Sequence, residues 1–150
     1  MIKVIRFNRN NSDFQKLVKT LDDELDSRYG IIQADYNEYN KIENIENIVI
    51  AYQQMDPAGC GCFKVFDHHS VEIKRMIVKP EYRGMGIAKL ILLELESWAV
   101  EKGFSRSILE TGMKQPEAIN FYSGLGYSRI DNWGQYIGNE NSICMSKTLQ

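Results

Sequence analysis

The sequence predicts a mixed α/β domain of the α+β type, a mostly antiparallel central sheet with flanking helices. Three observations carry that expectation. Strand-like segments at residues 48–53, 61–66 and 71–78 are joined by turns too short for parallel crossovers. Two apolar patterns with helical spacing come late in the chain, each followed by a strand-like run. The 150 residues, 43% apolar and 25% charged, have the size and composition of one ordinary globular domain.

Taken in order, residues 2–7 are rich in β-branched side chains and read as a strand. Ser12 lies three residues before Gln15, a capping-box spacing that opens a helix. Phe14, Leu17, Val18, Leu21 and Leu25 then give that helix an apolar face. The polar stretch 28–47 is ambiguous and has room for a short second helix at 34–41. Residues 48–53 form the next strand, and Asp56-Pro57-Ala58-Gly59 carries turn chemistry. Strand 61–66, turn 67–70 and strand 71–78 complete an antiparallel meander. Residues 84–102 turn helical, with Ile87, Leu90, Ile91, Leu95 and Trp98 apolar and Gly103 placed just past the end. Residues 105–110 read as a strand, and 116–125 as a helix with Pro116 in its first turn and Gly126 beyond it. Strands at 127–130 and 143–148 close the chain. No repeat or linker divides it, so residues 1–150 are expected to form a single domain.

The charge balance narrows the function classes. Lys and Arg number 18 and Asp and Glu 20, a formal net charge of −2. Bulk binding of nucleic acid needs a basic surface and is not expected. The longest aliphatic stretch, residues 90–93, is far too short to span a bilayer. The N-terminal segment carries Lys3, Arg6 and Arg9 and has no apolar core, so it does not read as a signal peptide, and a cytoplasmic location is expected. The three cysteines, Cys60, Cys62 and Cys144, are then expected as reduced thiols. Cys60-Gly61-Cys62 followed by His68-His69 departs from the usual C-x2–4-C zinc spacing, and no metal is expected.

The most informative stretch runs strand, turn, helix from Val71 to Lys89, with Gly84 and Gly86 at the helix entrance. The first amides of a helix lack intrahelical partners, and the macrodipole makes that end positive. Glycine lets a ligand oxygen approach those amides closely. Helix starts usually attract acids. Here none occurs between Glu81 and Glu94, while Arg83 and Lys89 flank the entrance. The pattern fits an anion site of the kind that takes a phosphate; a plain helix start after two glycines is the competing reading. The Lys-Ser/Thr ending of a Walker A loop and the third glycine of a dinucleotide fingerprint are both missing.

Arg83-Gly84-Met85-Gly86-Ile87-Ala88 resembles the Arg/Gln-x-x-Gly-x-Gly/Ala motif of the GNAT superfamily of N-acetyltransferases. Residues 72–78 look like that family's fourth strand, and residues 118–127, with Ala118, Phe121, Tyr122 and Gly126, like its second signature. Order and spacing match over residues 48–130. Each motif alone is degenerate; the two in this order are specific. The resemblance implies an acetyl-CoA-dependent transferase that uses direct attack by an amine in a ternary complex. A sensor or regulatory module that binds acyl-CoA without turnover is the alternative within the same fold.

Carried over by position, the resemblance assigns the CoA pyrophosphate to the loop of Arg83, Gly84, Met85, Gly86, Ile87 and Ala88. It places the pantetheine arm along the main chain of Met76, Ile77 and Val78, and so requires the sheet to splay between this strand and the one starting near Ser105. Tyr122 matches the general acid toward the departing thiolate, with a packing aromatic as the other reading and Phe121 as the better core candidate. Glu72 matches a strand position used for a carboxylate base, or it is half of an ion pair with Arg75 or Lys74. His68 and His69 read as solvated turn residues. Many family members carry Asn where this chain has Gln115, which leaves its bond to the CoA arm open. Dimers are frequent in the family, and nothing in the sequence selects an interface.

The family shapes its acceptor side with the first helix and the segment after it. Residues 21–46 hold eight acids, Asp22, Asp23 and Asp26 among them, against Arg28 and Lys41. Either they attract a cationic amine such as a polyamine or a lysine side chain, or they form a solvated helix face. Tyr29, Tyr36 and Tyr39 interleave with them and could contact an amine through their ring faces.

Overall fold

In the computed structural model, which describes residues 1–29 and 45–150, the strands assemble into one seven-stranded sheet. In chain order the elements are β1 (Ile2–Phe7), α1 (Ser12–Tyr29), β2 (Asn47–Gln53), β3 (Asp56–Val65), β4 (Ser70–Val78), α2 (Ile87–Glu101), β5 (Arg106–Gly112), α3 (Pro116–Gly124), β6 (Ser128–Ile130) and β7 (Ser142–Thr148). Short 3-10 turns at Pro80–Tyr82 and Gly134–Tyr136 were not legible in the sequence. The spatial order is β1-β2-β3-β4-β5-β7-β6, antiparallel throughout except for the β4–β5 pair. The helix suggested at 34–41 lies outside the described residues.

Two faces of the sheet hold two cores. On one, α2 and α3 cover Val49, Phe63, Val71, Ile73, Leu109, Ile143 and Met145. Ile91, Leu92 and Leu95 of α2 are fully buried there, each contributing roughly 1.5–3 kcal/mol. On the other, Phe14, Leu17 and Val18 of α1 pack on Ile48, Ile50, Cys60, Cys62 and Ile77. The i, i+3, i+4 apolar spacing that predicts both helices is the spacing that buries one face of each.

Two local expectations are corrected and a third holds. The side chain that caps α1 belongs to Asn11, whose Oδ1 accepts from the Phe14 amide at 2.9 Å; Ser12 is the first helical residue. The β2–β3 reversal uses Gln54 and Met55, with Gln54 at φ 56, so Asp56 and Pro57 already belong to β3. Pro57 is accommodated where the register shifts at Ala51/Tyr52. At the end of α2 the Phe104 amide bonds the Ala99 carbonyl and the Gly103 amide that of Val100, a Schellman ending that matches the expected role of Gly103.

A fork in the sheet and the cleft through it

β4 and β5 pair only from Ser70↔Arg106 to Ile73↔Leu109. Beyond that point β4 runs on to Val78 and β5 to Gly112 without bonding each other, so the sheet forks as the pantetheine assignment requires. A bulge helps to open it. The β3–β4 register shifts between Cys60 and Cys62, and Arg75 within the bulge adopts φ 58, a left-handed conformation uncommon for a side-chain-bearing residue. The Cys60 thiol reaches the Arg75 carbonyl, and the Arg75 guanidinium donates to Asp22 of α1 at 2.6 Å. Opposite the bulge stands Gly61, where a Cβ would collide with the Met76 sulfur and sit 3.0 Å from Ile91 and Leu95. The missing side chain leaves the Met76 sulfur room over β3.

The fork contains a cleft of about 230 Å³. Its walls include Met76, Ile77 and Val78 of β4, Arg83 and Ala88 of the helix entrance, and Gln115 and Tyr122 around α3. Leu21 of α1 and Phe121 of α3 also line it, and these helices cover opposite faces of the sheet. The cleft therefore runs along the end of β4 and reaches helices on both faces of the sheet.

At one end lies the entrance to α2. Gly84 and Gly86 have φ 79 and 80, and Gly86 is the N-cap, with no side chain capping the helix and no acid in its first turn. Open space surrounds both glycines, so backbone conformation alone demands glycine there. The Ile87 side chain is buried in the core and only its main chain faces the entrance. Gly84, Met85 and Gly86 are exposed on the loop outside the cleft walls. The loop is anchored from behind: Tyr82 donates to Asp56 at 2.6 Å, Lys79 pairs with the same carboxylate, and Arg83 Nε bonds the Val78 carbonyl at 3.0 Å.

Tyr122 sits deeper. It is 8% exposed, its ring edge-on to Phe121 at 5.1 Å and to Tyr127 at 5.6 Å. Burial pushes its phenol well above the ordinary value, so the hydroxyl stays protonated across the neutral range. Phe121, expected to be the core residue of the pair, is only partly buried and lines the cleft, because the rotation of α3 points Tyr122 inward. Tyr127 is held on its other side by Ser107 at 2.7 Å and Glu96 at 2.8 Å, and Glu96 also pairs with Lys147.

Glu72 is 4% exposed and does not line the cleft; its Oε2 lies 3.5 Å from Lys74 Nζ, one of the two partners the sequence offered. The other, Arg75, is committed to Asp22. Asp22 is thereby removed from any free acidic rim, and Asp23 pairs loosely with Lys19 at 3.6 Å. The side chain of Asp26, and Tyr36 and Tyr39 altogether, lie outside what the structure describes. His68 and His69 are exposed in the β3–β4 turn. Cys60 and Cys62 are buried strand residues, and Cys62 donates to the Lys74 carbonyl at 3.2 Å. Burial lifts the Cys62 thiol to about 12, which leaves it no thiolate character at neutral pH. Among the described residues no group of His, Cys, Asp and Glu could hold a metal ion, and no helix is long and apolar enough to cross a membrane.

Sequence reasoning missed Leu21 and Glu117 as walls of the cleft. Nothing local marks a leucine on an amphipathic helix as a cleft wall.

Comparison with known proteins gives a consistent picture. The model of the acetyltransferase (GNAT) family matches residues 14–127. An IAA acetyltransferase of Azospirillum brasilense is 29% identical over 144 residues, 92% of this chain and 94% of that protein. A protein described as probable N-acetyltransferase 14 of Xenopus tropicalis is 35% identical over 86 residues, and there the chain spans 42% of the relative's length. Among solved structures, the PaiA N-acetyltransferase of Thermoplasma acidophilum in complex with coenzyme A superimposes with a TM-score of 0.76 at 20% identity, covering 99% of both chains.

Proposed function

The chain belongs to the GNAT acetyltransferase family, and from that premise we propose that it transfers the acetyl group of acetyl-CoA to a primary amine by direct attack. The observation that carries this reading is the cleft through the fork. It joins the main-chain segment Met76, Ile77 and Val78, the helix-entrance residues Arg83 and Ala88, Gln115, and Tyr122 in one continuous space. In this reading the uncapped amides after Gly84 and Gly86 receive the pyrophosphate. The unpaired edge of β4 receives the extended arm by main-chain pairing, with the Ile77 and Val78 amides toward the thioester carbonyl.

Tyr122 then serves as general acid. When the carbon–sulfur bond breaks, its phenolic proton passes to the CoA sulfur. The acceptor amine enters from the α1 side, where Leu21 borders the cleft. A cationic acceptor remains part of the proposal, drawn by the acids that follow Asp22 rather than by Asp22 itself.

The test is release of free CoA thiol from acetyl-CoA with polyamines, lysine peptides, N-terminal peptides and small amines. Tyr122→Phe runs beside the native chain. Turnover with one amine class, reduced about 10²–10⁴-fold in the variant with an unchanged KM for acetyl-CoA, is expected. Tight acetyl-CoA binding without turnover of any amine would favour a non-catalytic acyl-CoA sensor instead.

A further inference from the structure

The Tyr122 hydroxyl has no polar anchor of its own. Among the described residues no side chain hydrogen-bonds it, and burial is what pushes its phenol upward. The ring meets two aromatic neighbours edge-on, and one of them, Phe121, is itself only partly buried along the cleft. The other is Tyr127, 3% exposed, in the short connection from α3 to β6. Its amide bonds the Tyr122 carbonyl at 3.0 Å, and its ring crosses the Tyr122 ring at 67°.

Groups from three further elements pin the Tyr127 ring from behind. Its hydroxyl donates to Glu96 Oε2 of α2 at 2.8 Å, and the Ser107 hydroxyl of β5 lies 2.7 Å from the same oxygen. Burial keeps the Tyr127 phenol protonated, and its one proton goes to Glu96, so Ser107 must be the donor in the second bond. Lys147 of β7 donates to Glu96 Oε1 at 2.8 Å and lies 5.8 Å from the centre of the Tyr127 ring. It passes beside Gly126, where a Cβ would come within 3.3 Å of its Cε. Phenylalanine at 127 would fill the core without a hydroxyl or a buried carboxylate, and buried ion pairs add little net stability over apolar packing of the same volume. What the four polar groups do fix is one position for the Tyr127 ring.

We propose that Tyr127 is a positioning residue for the reaction: Glu96, Ser107 and Lys147 lock its ring, and that ring sets how Tyr122 presents its hydroxyl to the CoA sulfur. This rests on the reading of Tyr122 as general acid. Tyr127 is outside the cleft walls and acts through Tyr122 alone. Proton delivery needs the two heavy atoms within hydrogen-bond reach, and a displacement of about 1 Å can cost about 10²-fold in rate. Loss of the Tyr127 hydroxyl lets the ring shift while Tyr122 keeps its proton. The chemical step then slows, and the helix entrance and the β4 edge that would hold acetyl-CoA are untouched.

The experiment measures kcat and KM for acetyl-CoA with the amine of the panel above that turns over fastest. It compares the native chain, Tyr122→Phe, Tyr127→Phe, the double variant and Ser107→Ala, with urea unfolding to show that each is folded. Tyr127→Phe should lose at least about fivefold and up to about 10²-fold in kcat, with an unchanged KM for acetyl-CoA. In the Tyr122→Phe background the same substitution should change kcat by less than about twofold, because the hydroxyl it positions is already gone. Ser107→Ala leaves the bond to Glu96 in place and should lower kcat by more than about twofold; it decides the question if Tyr127→Phe does not fold. A smaller loss in the deciding variant, or losses that multiply in the double variant, overturns the assignment and leaves Tyr122 as general acid. Native kcat in Tyr122→Phe overturns the general acid and the assignment together. A native chain that turns over no amine overturns the acetyltransferase reading on which both rest.

Discussion

The environment of Glu110 has a consequence for stability that needs no substrate to observe. Its carboxyl moves from an ordinary 4.5 in the unfolded chain to about 7 in the fold, chiefly because burial penalises the charge. Between those values the folded state holds a proton that the unfolded state has released, so stability falls as pH rises through this window. The rise from 4.5 to about 7 corresponds to roughly 3.5 kcal/mol. That stability is present below pH 4.5 and is gone above pH 7. Glu110→Gln replaces the carboxyl with an amide of similar shape that does not titrate. Urea unfolding of both proteins should therefore converge near pH 4.5 and diverge by about 2–3 kcal/mol at pH 8, with the variant the more stable. A stability difference constant within about 0.5 kcal/mol from pH 5 to pH 8 would refute the reasoning.

Other positions make separable predictions. Gly86→Ala forces a side chain into φ 80 without any clash, and should cost about 1–2 kcal/mol in unfolding free energy while weakening acetyl-CoA binding measured by calorimetry. Gly61→Ala drives a Cβ into Met76, Ile91 and Leu95; a loss of about 1–3 kcal/mol in denaturation and a raised KM for acetyl-CoA should appear together. Asp22→Ala leaves the buried Arg75 guanidinium without its 2.6 Å partner. Because Asp22 is 33% exposed, the loss should reach about 2 kcal/mol in chemical unfolding, below the roughly 3–5 for a fully buried pair. The same variant should change KM for a cationic acceptor little unless stability collapses, which separates a structural Asp22 from an electrostatic rim.

The parts of this protein legible in its sequence are those whose cause lies within a few residues. Alternating or 3.6-residue apolar spacing, Pro116 at a helix start, and Gly103 and Gly126 past helix ends each act through local backbone geometry. The two-glycine entrance to α2 with no acid behind it is equally local, and it led to the cleft. The Asn11 cap shows the limit even there, since Asn11 and Ser12 are both good caps and the entry angle of the chain chooses between them.

What the tertiary structure alone decided depends on residues far apart in the chain. The fork closes at Ile73↔Leu109 because the bulge at Arg75 bends β4 away, and that bulge depends on Gly61 across β3 and Asp22 on α1. Which of Phe121 and Tyr122 turns inward follows from how α3 docks on the sheet, since both fit an amphipathic stripe. The two strand glutamates, Glu72 between Val71 and Ile73 and Glu110 between Leu109 and Thr111, are both acids beside apolar strand residues. Lys74 lies two residues from Glu72 on the same strand, whereas packing between strands leaves an oxygen of Glu110 unsatisfied. The energy of a buried charge is set by neighbours in space, and those become fixed when the sheet and helices close on one another.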